Sequence, residues 1–229
     1  MKQRIKLAEN KKLISGWYIP SKEKHFEGYL VNNINRNGVG EYQKEQRVNS
    51  FKYLDHKNIA IDIGACVGFW TKDLCETFNN VICFEPAPIN AECLKLNLVN
   101  YKNYRLYKIG LSNTTGTKKL MISEEAIGSN SLSDYKMNPK NFINIPTKKL
   151  DDFKFRNVSY IKMDVQFHEL EVLEGAEKTL KNNSPVLCIE CARRNENELN
   201  YVKKIVSLLN ELNYKIVGGL GKELFFKKM

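Results

Sequence analysis

Two acidic residues stand where strands of a predicted sheet end, and both could bind a ligand. The run Ile59–Ile63 is apolar except for Asp62, and it leads into a turn that contains Gly64 and Gly68. The next apolar run ends at Glu85, one strand–helix–strand step later. Glycines let a backbone approach a ligand closely, and the start of a helix offers unpaired N–H groups. The pattern is therefore typical of a nucleotide-binding turn.

The positions of the two acids indicate which nucleotide suits the turn. The glycine spacing departs from the GxGxxG pattern of dinucleotide-binding enzymes. A carboxylate at Asp62, directly before the turn, would repel a phosphate but attract an ammonium or sulfonium group. A carboxylate at Glu85, at the tip of the second strand, can accept hydrogen bonds from both ribose hydroxyls. Together these features favour S-adenosylmethionine over NAD or ATP.

Short apolar runs alternate with helical stretches from Ile59 onward, which implies a mostly parallel sheet with helices on both faces. Gly218 and Gly219 precede the last run and predict a hairpin that makes one strand antiparallel. The polar segment 123–146 is predicted to be a long loop that could close over the site as a lid. The predicted strands are 59–63, 81–85, 104–109, 158–164, 186–190, 214–217 and 223–227, and the predicted helices are 41–55, 69–78, 90–99, 168–181 and 198–212.

The 229 residues carry a net charge of +10, with most of the excess in residues 1–57. We therefore divide the chain into a basic N-terminal extension of helix and loop, residues 1–57, and a domain over residues 58–229. The basic charge predicts either an anionic partner or simply solvated lysines.

No apolar run is long enough for a membrane span, and no signal peptide is evident. We expect a cytoplasmic protein with six free cysteines, because Cys188 and Cys191 lack a second pair for zinc.

Six segments resemble FkbM-type S-adenosylmethionine-dependent methyltransferases and occur in the order of that family: IDIGACVGFW, FEPAPIN, KIGLSNTTG, KKLDD, YIKMDVQFHELEVLEGA and PVLCIE. The resemblance covers Ile59–Cys191 and implies a Rossmann-like class I methyltransferase fold with a seven-stranded sheet. It also implies methylation of an oxygen on a sugar or another small metabolite. The first 57 residues look like phage-encoded members of the group, which would place the protein in a host cytoplasm. The implied cofactor contacts are Asp62, Gly64, Ala65, Cys66, Gly68, Thr71, Glu85, Pro86, Ser112 and Asn113.

The segment after the fourth predicted strand carries the candidate catalytic residues and departs from the family pattern. The usual Asp-Val-Glu-Gly-x-Glu is replaced by DVQFHE, which begins at Asp164. A hydroxyl is a weak nucleophile at neutral pH, so a general base or a metal ion is expected beside it. Asp164 is the first candidate for the base, followed by Glu169 and His168, although both also suit a helix start. Alternatively, Asp164 and Glu190 could hold a divalent cation.

The methyl acceptor is expected to be a small molecule or glycan, and basic residues near the same edge could hold an anionic group on it. These residues are Lys148, Lys149, Arg193 and Arg194, with solvated surface charge as the alternative.

Two other functions are also compatible with the sequence. The charge of +10 suits a nucleic-acid methyltransferase, although the fourth strand lacks the Asn/Asp-Pro-Pro-Tyr/Phe pattern typical of base methylation. The altered Gln166-Phe167 turn would suit a module that binds the cofactor without catalysis.

Overall fold

The computed structural model describes residues 10–133, 141–192 and 195–229. The helices are α1 (His25–Asn32), α2 (Lys44–Phe51), α3 (Phe69–Thr77), α4 (Pro88–Asn97), α5 (Glu169–Glu174), α6 (Glu177–Asn183) and α7 (Glu196–Glu211). The strands are β1 (Lys11–Ile14), β2 (Trp17–Pro20), β3 (Ile59–Ile63), β4 (Asn80–Phe84), β5 (Tyr104–Tyr107), β6 (Gly110–Leu111), β7 (Gly116–Met121), β8 (Phe142–Lys148), β9 (Val158–Met163), β10 (Val186–Glu190), β11 (Tyr214–Leu220) and β12 (Glu223–Lys228).

The central sheet has seven strands in the order β11-β12-β10-β9-β3-β4-β5. The five strands from β10 to β5 are parallel, and β12 runs antiparallel to both of its neighbours. The predicted α/β architecture with one antiparallel strand near the C-terminus is confirmed. The chain order reverses between β3 and β9, and ligands bind at the carboxyl ends of strands beside such a reversal.

Side chains of the central strands alternate between two separate hydrophobic cores, one on each face of the sheet. On one face, Ile61 packs with Leu173 of α5 and Ile205 of α7. On the other face, Ala60 packs with Leu74 of α3 and Leu94 of α4. Because both faces are covered, the strand edge at the carboxyl ends is left as the place where a ligand can enter.

The N-terminal segment contains a hairpin of β1 and β2 that the sequence analysis did not predict, and its second helix, α2, is shorter than expected. Asn97 of α4 fixes the hairpin, because its side chain accepts a hydrogen bond from Tyr18 N at 2.7 Å and donates one to the Tyr18 carbonyl oxygen at 3.0 Å. Arg47 of α2 donates a hydrogen bond to Asp73 of α3 at 2.6 Å. The segment is therefore attached to the domain through its two helices α3 and α4.

A three-stranded sheet, in the order β6-β8-β7, is inserted between β5 and β9. The prediction of a loop over residues 123–146 was wrong at its end, since β8 begins at Phe142, and residues 134–140 lie outside the described residues. The single predicted helix 168–181 is two helices that meet at Gly175. A side chain at Gly175 would stand 2.2 Å from the Ser112 carbonyl oxygen, so this close backbone approach interrupts the helix.

None of the six cysteines forms a disulfide, and five of them are buried, where they act as small apolar side chains. Within the described ranges, no helix combines the length and the apolar character that crossing a bilayer requires.

Candidate active site

A cleft of about 270 Å³ opens at the carboxyl ends of β3, β4, β9 and β10. One half is lined by the β3 turn, by Glu85 and Pro86 after β4, and by Asn90 of α4. The other half is lined by acidic, aromatic and basic side chains. These include Tyr42, Trp70, Lys162, Asp164, Gln166, Phe167, Glu190 and Lys222. The cleft therefore joins a predicted nucleoside site to a second site of different chemistry.

The turn after β3 is shaped by its contact with the neighbouring strands. Gly64 has φ +80°, and a Cβ at this position would lie 1.9 Å from the Asp164 carbonyl oxygen. The N–H groups of Gly64 and Ala65 both donate to the Phe84 carbonyl oxygen, at 3.0 and 3.1 Å. Only glycine satisfies both the space and the backbone angle at position 64. The backbone of the turn is thus exposed to the cleft.

Glu85 is 4% exposed and accepts two backbone hydrogen bonds at its carboxylate. Cys66 N donates to Oε2 and Ala87 N donates to Oε1, each at 2.8 Å. Burial raises the pKa of Glu85 to about 8, against the opposing effect of these two donors and of a hydrogen bond from the Asn90 side chain. A carboxylate has about four acceptor sites, so Glu85 keeps acceptor capacity for the ribose hydroxyls that the sequence predicted.

A nucleoside also fits the other groups in this half of the cleft. Asn90 is 1% exposed, and its Oδ1 has no hydrogen-bond partner among the described residues. A buried acceptor of this kind calls for a donor from a ligand, such as a hydroxyl or an amino group. Pro86, Ile109 and Leu111 supply apolar surface that a flat base can contact. The residues present therefore fit S-adenosylmethionine.

Five of the predicted cofactor residues lie outside the cleft lining. Asp62 is buried behind the turn, where Oδ2 accepts a hydrogen bond from Thr71 Oγ1 at 2.6 Å. Gly68 begins α3 with φ +95°. Ser112 Oγ lies 3.0 Å from His168 Nε2, and Asn113 Nδ2 donates to Glu174 Oε2 at 2.7 Å. By contrast, Gly64, Ala65, Cys66, Glu85 and Pro86 all line the cleft.

Of the three predicted catalytic residues, the structure brings only Asp164 to the cleft. His168 is buried against Ser112, and its Nδ1 lies 3.5 Å from Glu171 Oε2. Glu169 accepts hydrogen bonds from Val165 N at 3.0 Å and from the Tyr201 hydroxyl at 3.2 Å. Burial raises the pKa of Glu169 to about 7. The hydrogen bonds of His168 and Glu169 therefore hold in place the segment after β9 that carries Asp164.

Asp164 shares its half of the cleft with a second carboxyl group, that of Glu190. Burial disfavours the charge on both. At Asp164 the charge of Lys162, with Nζ 3.3 Å from Oδ2, and the hydrogen bonds from Glu190 and Gln166 together outweigh burial and lower the pKa. At Glu190, burial and the negative charge of Asp164 both raise the pKa, to about 8. At neutral pH the pair therefore carries its negative charge on Asp164.

Several cleft residues were missed by the sequence analysis. Lys162 is the one charged residue of its buried strand β9. A lysine at such a position was the only feature of the sequence that could have indicated a cleft residue there. Burial alone would lower the pKa of Lys162, but the charges of Asp164 and Asp62 outweigh it and raise the pKa. Trp70 lies between two cations, with its ring centroid 5.5 Å from Arg47 and 5.3 Å from Lys162. Tyr42 reaches the cleft from the N-terminal segment, so no local pattern could indicate it.

The expected cation site is not found: the described residues contain no group of three or more His, Cys, Asp or Glu side chains that could hold a metal ion. The amide of Gln166 lies between Asp164 and Glu190 instead. Of the predicted anion-binding residues, Arg193 and Arg194 lie outside the described residues. Lys148 and Lys149 are exposed and do not line the cleft.

Residues 62–216 match the family model of the methyltransferase FkbM domain, which is more than half of the chain. The chain belongs to the FkbM methyltransferase family. A comparison of this FkbM chain with curated proteins found no match. The family supports S-adenosylmethionine as the cofactor of a methyltransferase, in agreement with the nucleoside fit of the cleft.

Solved structures share the fold of this FkbM chain at low sequence identity. An FkbM methyltransferase from Methylobacillus flagellatus aligns with a TM-score of 0.52 and 20% identity over 75% of this chain, which spans only 43% of that protein. A Streptococcus mutans protein named as a methyltransferase, solved in complex with SAH, aligns with a TM-score of 0.53 and 14% identity over 82% of this chain and 99% of its own. A precorrin-8w decarboxylase from Methanobacterium thermoautotrophicum aligns with a TM-score of 0.52 and 13% identity, over 87% of this chain and 98% of its own.

Proposed function

We propose that this protein transfers the methyl group of S-adenosylmethionine to a hydroxyl oxygen of a sugar, glycan or other small metabolite. The observation that supports this best is that Asp164, a half-buried and ionised carboxylate, faces the same cleft as the nucleoside site around Glu85. The cytoplasm is the proposed location, because six cysteines without a disulfide suit a reducing compartment.

The residues of the nucleoside half would bind and orient the cofactor, which supplies an electrophilic methyl group when bound. Glu85 would accept from the ribose hydroxyls, and the Asn90 side-chain oxygen would accept a further donor. Cys66 N already holds the Glu85 carboxylate in place at 2.8 Å. The buried Asp62 would act from behind the turn, by anchoring α3 through Thr71. Gly68, Ser112 and Asn113 are proposed to shape the surrounding backbone rather than touch the cofactor.

Asp164 is proposed to accept the proton that the hydroxyl loses. As the new carbon–oxygen bond forms, the attacking oxygen becomes positively charged and its proton becomes strongly acidic. A carboxylate with a lowered pKa is then a sufficient base, and it is ionised throughout the physiological range. His168 and Glu169 are proposed as positioning residues, because they hold the segment that carries Asp164.

The acceptor half of the cleft combines aromatic faces with polar groups that suit a polyhydroxylated ligand. Tyr42, Trp70 and Phe167 supply the aromatic surface, and Gln166 and Glu190 supply donors and acceptors. A few well-placed polar groups among aromatic walls are typical of small-molecule sites. Residues 25–26 and 127–130, which contact each other and line the cleft, would exclude water from it.

Substitution of Asp164 tests the catalytic assignment. The Asp164→Asn variant removes the proton acceptor, so we expect turnover to fall about 100-fold while the affinity for S-adenosylmethionine stays within a factor of about two. Methyl transfer and calorimetric titration are measured on the same samples. Turnover close to that of the wild-type chain, with normal cofactor binding, would rule out Asp164 as the base.

The class of acceptor is tested by labelling. The protein is incubated with cell extract and S-adenosylmethionine tritiated at the methyl group, and the products are separated into small-molecule, glycan, protein and nucleic-acid fractions. We expect the label in the first two. Label in nucleic acid, with binding that weakens steeply as salt is added, would favour the alternative that the charge of +10 suggests.

A further inference from the structure

Two carboxyl groups lie side by side at the acceptor end of the cleft. Strands β9 and β10 are parallel neighbours. Asp164 follows the last residue of β9 and Glu190 is the last residue of β10, so both lie at the same edge of the sheet. Their side chains are only 20% and 12% exposed. At neutral pH Asp164 is ionised and Glu190 is protonated, so the two carboxyl groups can share a hydrogen bond, whereas above a pH of about 8 both would be ionised and would repel each other. The stability of the pair therefore depends on the groups that surround it.

The side-chain amide of Gln166 links the two carboxyl groups. Its Nε2 donates to Asp164 Oδ1 at 2.8 Å and to Glu190 Oε2 at 2.6 Å. An amide nitrogen has two hydrogens, so both are used by the pair. Lysines stand at the outer oxygens, with Lys162 Nζ 3.3 Å from Asp164 Oδ2 and Lys222 Nζ 3.4 Å from Glu190 Oε1. The amide is thus flanked by the two carboxyl groups, and each carboxyl group has a lysine beside it.

The backbone of the same segment is held in an unfavourable conformation. Gln166 has φ +55° and Phe167 has φ +71°, in the left-handed region that residues other than glycine rarely adopt. Strain of this kind persists where surrounding contacts impose it, and it is common at functional sites. Ser131 Oγ donates to the Gln166 carbonyl oxygen at 2.5 Å, and Glu169 accepts from Val165 N. These contacts fix the direction in which the amide points.

We propose that Gln166 is a positioning residue whose amide takes the place that a divalent cation would occupy between the two carboxyl groups of the cleft. The amide joins Asp164 to Glu190 directly, with one hydrogen bond to each carboxyl group. A carboxylate at position 166 would instead complete a set of three oxygen ligands of the kind that Mg²⁺ and Mn²⁺ prefer. The proposal depends on the proposed function only for the role of Asp164 as base.

The Gln166→Glu variant tests this directly, with Mn²⁺ as the probe. We expect the variant to bind one Mn²⁺ per chain at least tenfold more tightly than the wild-type protein, and the gain to disappear when Asp164→Asn is added. Asn79→Asp, which makes the same amide-to-carboxylate change at an exposed position outside the cleft lining, is the matched control and should bind no better than the wild type. Equal Mn²⁺ binding by the wild type and Gln166→Glu would overturn the proposal.

A second variant keeps the proposal testable if Gln166→Glu fails to fold. Gln166→Leu removes both donors at similar size, so the two carboxyl groups lose the amide that links them. The charged or titratable groups that face them are Lys162 of β9, Asp62 of β3, Lys222 and Glu223 at the β11–β12 turn, Glu169 of α5 and Tyr42. These groups are unchanged by the substitution, so any new pH dependence belongs to the pair.

We expect the loss of unfolding free energy in Gln166→Leu to be larger at pH 9 than at pH 6, because more of the pair is ionised at the higher pH. Urea unfolding at both values measures it. A loss that is equal at the two pH values would show that Gln166 only fills space, and would contradict the proposal. Titration of each variant with SAH is independent of this result. Absence of SAH binding by the folded wild-type chain would instead count against the proposed function.

Discussion

Residue scale: Glu85 and Asp62 are both buried acids after neighbouring strands, yet they differ in what they can do. Glu85 lines the cleft and keeps acceptor capacity beyond its two backbone donors. Asp62 lies behind the turn and holds Thr71. The sequence predicted direct cofactor contact for both, because their strand positions are alike. The side of the strand on which each points depends on tertiary packing, which the spacing does not contain.

Glu85 predicts a pH dependence for cofactor binding. Its pKa of about 8 means that the carboxyl is mostly protonated at pH 6, whereas two ribose hydroxyls need an ionised acceptor. Binding therefore releases a proton, and SAH affinity should rise with pH, by up to about tenfold per unit below pH 8, and then level off. Calorimetry from pH 6 to pH 9 measures this. An affinity that is constant over this range would contradict the role of Glu85.

Gly64→Ala tests the close approach of the turn to β9. The new Cβ would stand 1.9 Å from the Asp164 carbonyl oxygen at a φ of +80°, so the backbone must move. We expect a loss of about 3 kcal/mol or more in the free energy of unfolding, measured with urea. Gly28→Ala is the control, because it lies in α1 with nothing within 4 Å, and it should be neutral or stabilising by up to about 1 kcal/mol. Equal effects would show that the turn tolerates a side chain.

Element scale: the strands that the sequence predicted best are those buried on both faces. Ile59–Ile63 and Val186–Glu190 have the predicted bounds, because each is apolar apart from a single acid at or near its end. The hairpin of β1 and β2 and the antiparallel pair of β7 and β8 were missed, since Lys11–Ile14 and Gly116–Met121 are short and rich in lysine. Their pairing depends on distant partners such as Asn97 and Pro146. For the same reason the acceptor half of the cleft was only partly predictable.

Glu23 joins the N-terminal segment to the inserted segment over the cleft. It is 0% exposed and accepts hydrogen bonds from Phe26 N at 2.8 Å and from Ile127 N at 2.7 Å. Glu23→Ala leaves two buried donors unsatisfied, so we expect a loss of roughly 3 kcal/mol in unfolding free energy. Glu124→Ala removes only an exposed pair with Lys22 and should change it by less than about 0.5 kcal/mol. Thermal or urea unfolding compares them, and similar losses would contradict the assignment.

Whole-molecule scale: three buried glutamates make stability depend on pH. Burial raises the pKa of Glu85 and Glu190 to about 8 and that of Glu169 to about 7. Between pH 4.5 and 8 the folded chain then binds more protons than the unfolded chain, so the free energy of unfolding falls as pH rises through this range. Urea unfolding at pH 6 and pH 8.5 should show the lower value at pH 8.5, with a smaller difference in Glu85→Gln. A higher value at pH 8.5 would contradict these shifts.

The central claim is that the cleft at the carboxyl ends of β3 and β4 binds S-adenosylmethionine through Glu85 and the glycine turn. Calorimetric titration of the full chain and of Glu85→Gln with S-adenosylmethionine at pH 8.5 tests it most directly. We predict one molecule bound per chain, with an affinity at least about tenfold lower in the variant, a difference of about 1.4 kcal/mol. A folded wild-type chain without saturable binding, or a variant that binds equally well, would contradict the claim.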